Sequence, residues 1–306
     1  MSSNKLVIRL AGLELNNPTA QASGILGYSP ESLQRIAEAG AGAVVTKSVG
    51  LKPRMGYPNP TVVQANCGII NAMGLPNPGI KEYASEITFT KNVINVPLIV
   101  SVYGYTPEEY AEVAKIAAKA GADAIELNVS CPHVKETGSE IGQNSKLLTQ
   151  VIRKVKTATS KPLIVKLSPN VTDITKLAQA ATSAGADALT AVNTVRAIAI
   201  DVETALPVLS NVRGGLSGPA IKPIALRCVY DIYEKVKTQI IGCGGITTWR
   251  DAVEFLLAGA SAIQIGTAIA EKNPAVFKTI NHGIITYLKK KKYRSIKEIV
   301  GKAHLN

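Results

Sequence analysis

Residues that build metal or disulfide sites are scarce in this chain. Its 306 residues include four cysteines and three histidines. Cys67, Cys131, Cys228 and Cys243 are widely spaced and form no CxxC pair, while His133, His282 and His304 are scattered. Zinc-ligand spacing and a disulfide framework are therefore both absent, and no metal site is expected. No run of 18 apolar residues occurs, and the opening MSSNKLVIRLAG lacks a long apolar stretch. A spanning helix and a secretory leader are thus not expected, which points to a soluble, cytoplasmic, thiol-reduced protein. Aromatic residues make up only 5%, so the core must be built from Ile, Val, Leu and Ala. That mixture suits buried parallel strands with Ala-rich helices packed on them. No RNA- or DNA-binding module is recognisable.

What is present is a large apolar fraction, 46%, with 18% charged residues, too apolar for disorder and ample for a sizeable core. The formal charge is +12. Much of the excess sits in YLKKKKYR (287–294), which fits a solvated C-terminal helix end favoured by the macrodipole. A patch for an acidic partner is the alternative.

Four segments share one pattern: AGAGAVVTKS (39–48), AGADAIELNVS (120–130), AGADALTAVNT (184–194) and AGASAIQIGTA (258–268). In each, a helix ends at a glycine suited to the C′ position, and a short apolar strand follows at once. Between them lie continuous apolar runs, VPLIVSVYG (96–104), KPLIVKLSP (161–169) and TQIIGCGGI (238–246), typical of strands buried on both faces. An early strand near Thr19–Ser23 completes eight. Helical patterns intervene at 30–39, 80–92, 107–120, 144–158, 172–184, 219–237, 248–258 and 274–289, and Thr106-Pro107-Glu108-Glu109 is a clean helix start. This alternation predicts one (β/α)₈ barrel domain over 1–306 rather than a dinucleotide-binding sheet, since no G-x-G-x-x-G follows the first strand. Residues 6–15 form a hairpin candidate for the barrel bottom. Two connections, roughly 49–79 and 195–218, are long enough to carry function.

In such a barrel the C-terminal strand ends converge on one site. They offer Ser23, Lys47-Ser48, Ser101, Asn128 with Cys131, Lys166 with Ser168, Asn193-Thr194, Gly244-Gly245 and Gly266-Thr267. Two cations and many neutral hydrogen-bonding groups, with no acid pair, suit an anionic or carbonyl-rich ligand and not glycosidic chemistry. The glycines after strands seven and eight, with Gly218 in GGLSGP, match the phosphate cradle of this fold. Lys47 and Lys166 end buried strands, where a fixed ammonium would stabilise negative charge. Cys67, Cys228 and Cys243 are expected as small buried fillers.

The motifs NVSCPHVKETGSEIG, NAMGLPNPG (71–79), KPLIVKLSPN, VNT, GGLSGPAIKPIALR (214–227) and the IGCGGI…IGTA pair resemble the catalytic subunit of class 1 dihydroorotate dehydrogenases, nearest the B-type or an archaeal relative. The likeness runs from Ser23 to about Phe277 in the family's order. It implies FMN at the barrel mouth, contacted by Ser23, Lys47, Ser48, Ser101, Asn128, Lys166 and Val192, with Gly218, Gly244, Gly245, Gly266 and Thr267 at its phosphate. It implies dihydroorotate held by Lys47, Asn71, Ala72, Met73, Gly74, Leu75, Asn128, Asn193 and Thr194. Cys131 stands where the class 1 base stands, and would take the C5 proton while the C6 hydride passes to the flavin. Ser101 replaces the family's usual asparagine, and His133 replaces an asparagine common after the Cys-Pro pair.

Cys-Pro-His is also similar to dihydropyrimidine dehydrogenase. That family places its acid cysteine before Gly-Gln, whereas here Ile141 precedes Gly142-Gln143, which favours dihydroorotate. A non-enzymatic basic scaffold leaves the convergent Asn, Lys, Cys and Gly residues without purpose. The likeness further implies a homodimer core and a separate subunit carrying FAD and an iron–sulfur cluster, linked to NAD, because this chain has no cysteine cluster for one. Fumarate or a quinone are the alternative acceptors.

Overall fold

The computed structural model describes residues 5–130 and 141–304. Eight parallel strands form its central sheet: β1 (Thr19–Gln21), β2 (Val44–Val45), β3 (Leu98–Val102), β4 (Ala124–Asn128), β5 (Leu163–Leu167), β6 (Ala188–Ala191), β7 (Gln239–Cys243) and β8 (Ala260–Ile265). Their spatial order is β1-β8-β7-β6-β5-β4-β3-β2. A parallel bridge between Ala20 and Ala43 joins the two ends, so the sheet rolls into the expected (β/α)₈ barrel. Every residue of β3 and β5 is buried, the polar Ser101 and Lys166 included, as strands covered on both faces require.

Nine α-helices accompany the strands among the described residues: α1 (Pro30–Glu38), α2 (Ile80–Val93), α3 (Pro107–Lys119), α4 (Ser145–Ala158), α5 (Ile174–Ser183), α6 (Lys222–Lys235), α7 (Trp249–Leu257), α8 (Thr267–Lys272) and α9 (Val276–Lys290). Eight follow the expected patterns within a few residues. The short α8 was not expected, because one and a half turns carry too little periodicity to register. Thr106 caps α3 by accepting from the Glu109 N–H, with Pro107 in the first turn. The basic run ends α9, with Lys289 and Lys290 in its last turn.

The AGA repeat has a physical basis. Gly40, Gly121, Gly185 and Gly259 all take positive φ. After α1, α3 and α5 the glycine N–H and the following N–H bond back to the helix's final carbonyls, which reverses the chain straight into a strand. In two copies the next aspartate locks a neighbouring strand. Asp123 accepts from the Leu98 N–H at 2.8 Å, and Asp187 from the Leu163 N–H at 2.7 Å.

The strands Ile8–Leu10 and Leu13–Leu15 form the expected antiparallel hairpin. Its turn lies at the N-terminal end of β7, where Gln239 accepts from the Ala11 N–H and donates to the Arg9 carbonyl. At the opposite end, the two long connections are not featureless. Strands Val62–Ala65 and Gly68–Asn71 from the first pair with Val195–Ala197 and Gly214–Ser217 from the second, in one four-stranded antiparallel sheet. A small satellite core of Ile70, Ala72 and Leu209 packs with it. Cys67, expected buried, is exposed, while Cys228 and Cys243 are buried as expected. It occupies the two-residue turn between 62–65 and 68–71, beyond the reach of either core.

Candidate active site

The strand ends of β1, β2, β3 and β4 and the segment after β6 meet in a continuous chain of hydroxyls and amides. Ser48 lies 2.9 Å from the Ser101 hydroxyl and 3.4 Å from that of Ser23. Asn128 donates to Ser48 at 3.0 Å, and Asn193 donates to Asn128 Oδ1 at 3.3 Å. From α3 the Tyr110 hydroxyl donates to the Asn128 backbone carbonyl at 2.7 Å, fixing the strand end from behind. Five residues singled out in the sequence thus form one network, although they are up to 170 positions apart.

Beside it opens a cavity of about 920 Å³. Asn71, Ala72, Met73, Gly74, Leu75, Asn128, Asn193 and Thr194 all line it, eight of the nine positions the resemblance attributes to substrate. The ninth, Lys47, does not. It is half-buried, 5.6 Å from the Tyr28 ring centroid, and burial holds its ammonium below the ordinary lysine value. Asn71 reaches the wall from the roof sheet, opposite Gly215, whose carbonyl accepts from its amide at 3.3 Å.

The turn after Asn71 is held in an uncommon conformation, with both Gly74 and Leu75 at positive φ. Arg54 supports it, donating to the Gly74 carbonyl at 2.6 Å and the Tyr105 hydroxyl at 2.8 Å. Asn77 supports it too, donating to the Leu75 carbonyl at 2.9 Å. Asn170 plays a similar part on the far wall, donating to the Thr194 carbonyl and accepting from the Arg196 N–H. Sequence reasoning passed over Arg54, Asn170, Arg196 and Arg213, all of which line the cavity. Asn170 was legible as the polar end of KPLIVKLSPN; the arginines sit in long connections without periodicity.

Lys166 lies in the barrel interior beneath the mouth, donating to Gln264 at 3.0 Å and lying 3.8 Å from Glu126. Glu126 is an interior acid that the strand-end inventory did not include.

The glycines gather on the opposite rim. A Cβ on Gly245 would fall 2.8 Å from the Lys222 backbone nitrogen and 2.9 Å from the Gly218 carbonyl oxygen. One on Gly218 would fall 3.4 Å from Thr267 Cγ2, and Thr267 donates to the Ser217 hydroxyl at 2.9 Å. The first turn of α8 has no side-chain cap, whereas α7 is closed by a Thr248–Asp251 capping box. Of the two helix starts at this rim, α8 is the one without a side-chain cap. Gly266 approaches Ala22, and Val192 is buried with its N–H on the Cys243 carbonyl. Cys131 and His133 lie outside the described residues. No described helix is long and apolar enough to cross a membrane.

Comparison with known proteins bears on what this arrangement serves. Residues 5–288 match the family model for dihydroorotate dehydrogenase. The chain is 54% identical over 296 residues to the dihydroorotate dehydrogenase B (NAD(+)) catalytic subunit of Pyrococcus furiosus, covering 97% of this chain and 98% of that one. It is also 54% identical over 303 residues to its counterpart in Thermococcus kodakarensis, covering 99% of each. With that of Methanosarcina mazei it shares 49% over 300 residues, 98% of this chain and 95% of that one. With its barrel, its amide-lined cavity and its glycine rim, the chain belongs to the dihydroorotate dehydrogenase family.

Proposed function

We propose that this chain, as a single barrel domain, is an FMN-binding catalytic subunit that oxidises dihydroorotate to orotate in pyrimidine biosynthesis. The observation that carries this reading is the cavity. Residues from three separate segments, assigned to substrate on motif alone, converge on one space rich in amide donors and acceptors. Asparagine presents a donor and an acceptor together, which matches the alternating N–H and C=O edge of a dihydropyrimidine.

The residues present also fit the cofactor. Gly218 and Gly245 lie beside Thr267 in turns at positive φ packed too closely to admit a Cβ without movement, and the uncapped α8 adds backbone donors for a phosphate. Gly244 and Gly266 extend that rim. Ser23, Ser48, Ser101, Asn128, Lys47, Lys166 and the Val192 backbone would face the ring and its polyol chain. FMN, when bound, supplies the hydride acceptor for C6. The chain's own residues do the rest. Asn71, Asn128, Asn193 and Thr194 orient the ring; Lys47 and the turn Ala72–Leu75 receive the carboxylate; Cys131 takes the C5 proton. Lowered by burial, Lys47 gives its positive charge most value when an anion arrives to pair with it.

A separate electron-transfer subunit fits the printed name of the relatives, a catalytic subunit linked to NAD(+). We assign it FAD and an iron–sulfur cluster, docked on a homodimer of this chain in the cytoplasm.

The test is spectroscopic. The purified chain, reconstituted with FMN, should show flavin absorption that bleaches anaerobically on adding dihydroorotate and persists with dihydrouracil. Bleaching by dihydrouracil alone would transfer the chain to dihydropyrimidine oxidation. A chain that never takes up flavin would remove the reading altogether.

A further inference from the structure

The interior of a (β/α)₈ barrel is ordinarily filled by layers of branched apolar side chains. Beneath this mouth the layer is polar. Glu126 on β4 and Thr190 on β6 are fully buried, and Gln264 on β8 is 1% exposed. Gln264 donates to Glu126 Oε2 at 2.6 Å, and Thr190 donates to the same oxygen at 3.1 Å. Lys166 on β5 donates to Gln264 Oε1 at 3.0 Å. The Gln264 amide is therefore oriented, with its oxygen on the cation and its nitrogen on the anion. The other carboxylate oxygen, Glu126 Oε1, is buried without a hydrogen-bond partner among the described residues, and Lys166 Nζ stands 3.8 Å from it.

We propose that Glu126 is a positioning residue for Lys166: held by Gln264 and Thr190, its carboxylate keeps the ammonium charged in the barrel interior beneath the flavin seat, so that the bound ring faces a fixed positive charge. The inference rests on the flavin reading above. A lysine buried alone sheds its proton, because the charged form is poorly solvated. Here burial is the largest single effect and pulls the Lys166 ammonium down, but the Glu126 charge, the Cys243 thiol and the side-chain bond with Glu126 together leave the group above the ordinary lysine value. Two titratable groups face Lys166, Glu126 from β4 and Cys243 from β7. Burial pushes the Cys243 thiol up, so it stays neutral at working pH. Thr190 from β6 and Gln264 from β8 are neutral. The two lysines of the mouth thus differ in kind. Lys166 carries a built-in counter-charge, while Lys47 forms no ion pair with a described residue and waits for an anion.

Sulfite adds to an oxidised flavin to form an anionic adduct, so its dissociation constant reports positive charge beside the ring. The flavin-loaded full chain is titrated with sulfite as wild type, Glu126→Gln, Lys166→Met and the double variant, from about pH 6 to about pH 9. Taking ratios at each pH removes the ionisation of sulfite itself. The ratio of Glu126→Gln to wild type is expected to rise by about tenfold across that range, as the unpaired lysine loses its proton. The ratio of the double variant to Lys166→Met is expected to stay flat. A flat ratio with Lys166 present overturns the proposal, as does an equal rise in both backgrounds. If Glu126→Gln does not fold, melting decides. Recovery in the double variant supports the pair, and equal loss in both overturns it. A wild-type chain that retains no flavin removes the flavin reading and this inference together; a flavin-loaded chain with a flat ratio removes the inference alone.

Discussion

Replacing Gly245 by alanine tests the glycine rim through two separable effects. Gly245 has φ +73°, a left-handed conformation that costs a residue with a Cβ about 1–2 kcal/mol. The added Cβ would also lie 2.7 Å from Lys222 Cβ, 2.8 Å from Lys222 N and 2.9 Å from Gly218 O. Two of those three atoms are backbone, so the turn from Gly218 to Lys222 must move, at a further ~1–3 kcal/mol for overpacking. The sum is about 2–5 kcal/mol. The turn that moves carries Gly218 itself, next to Ser217 and its bond from Thr267. Displacing it separates the sides of the proposed phosphate cradle, and flavin should be lost. Gly12 supplies the control. Its φ is +84°, yet a Cβ there meets nothing within 4 Å, so Gly12→Ala should cost only about 1–2 kcal/mol and keep flavin. Urea unfolding gives the stabilities, and absorbance after gel filtration gives the FMN retained. Gly245→Ala with wild-type flavin content and the stability of Gly12→Ala would refute the reasoning.

Two further outcomes are expected. In Cys131→Ser the hydroxyl is far less acidic than a thiol and scarcely ionises to the basic form, so flavin reduction by dihydroorotate should slow by roughly 10²–10⁴-fold while orotate still binds; equal rates in stopped-flow mixing would remove Cys131 as the base. Asp251 links α7 to α6. Burial disfavours its charge, but the Lys222 ammonium and the donors of Thr247 and Thr248 prevail and hold its carboxyl at about 2, against an ordinary 3.8. A depressed folded value stabilises above the unfolded one and is lost as pH falls through it. Asp251→Ala should therefore forfeit about 2 kcal/mol of pH-dependent stability, complete above about pH 4 and gone below about pH 2. Urea midpoints of both proteins across that range check it, and an undiminished gap at the acid end would speak against it.

Much of the barrel was legible because its signals are local. Each AGA turn needs a left-handed glycine within one helix end, and three of the strands announce themselves by continuous apolar runs. Thr106-Pro107 starts a helix wherever it stands, since the cap and the fixed φ act within one turn. The amides of the site were legible for a related reason: polar residues that end a buried strand must emerge at its mouth. Motif likeness then named Asn71–Leu75, which no periodicity marks.

Other features depend on which distant segments meet. Gly215 and Asn71 are paired neighbours in the roof sheet across 144 positions, and nothing near either announces the other. Cys67 looked like a core filler by composition, yet the roof hairpin turns it outward. Glu126 read as one polar residue in a buried strand; Gln264, 138 positions away, supplies the amide that joins it to Lys166. The sequence by itself determined the order of strands and helices, their caps and the polar mouth, because those arise from the preferences of a few adjacent residues. Tertiary structure alone decided the roof over the cavity, the arginine and asparagine props behind its walls, and the charge pair beneath it, because alternation tells which face a side chain occupies but not what meets it there.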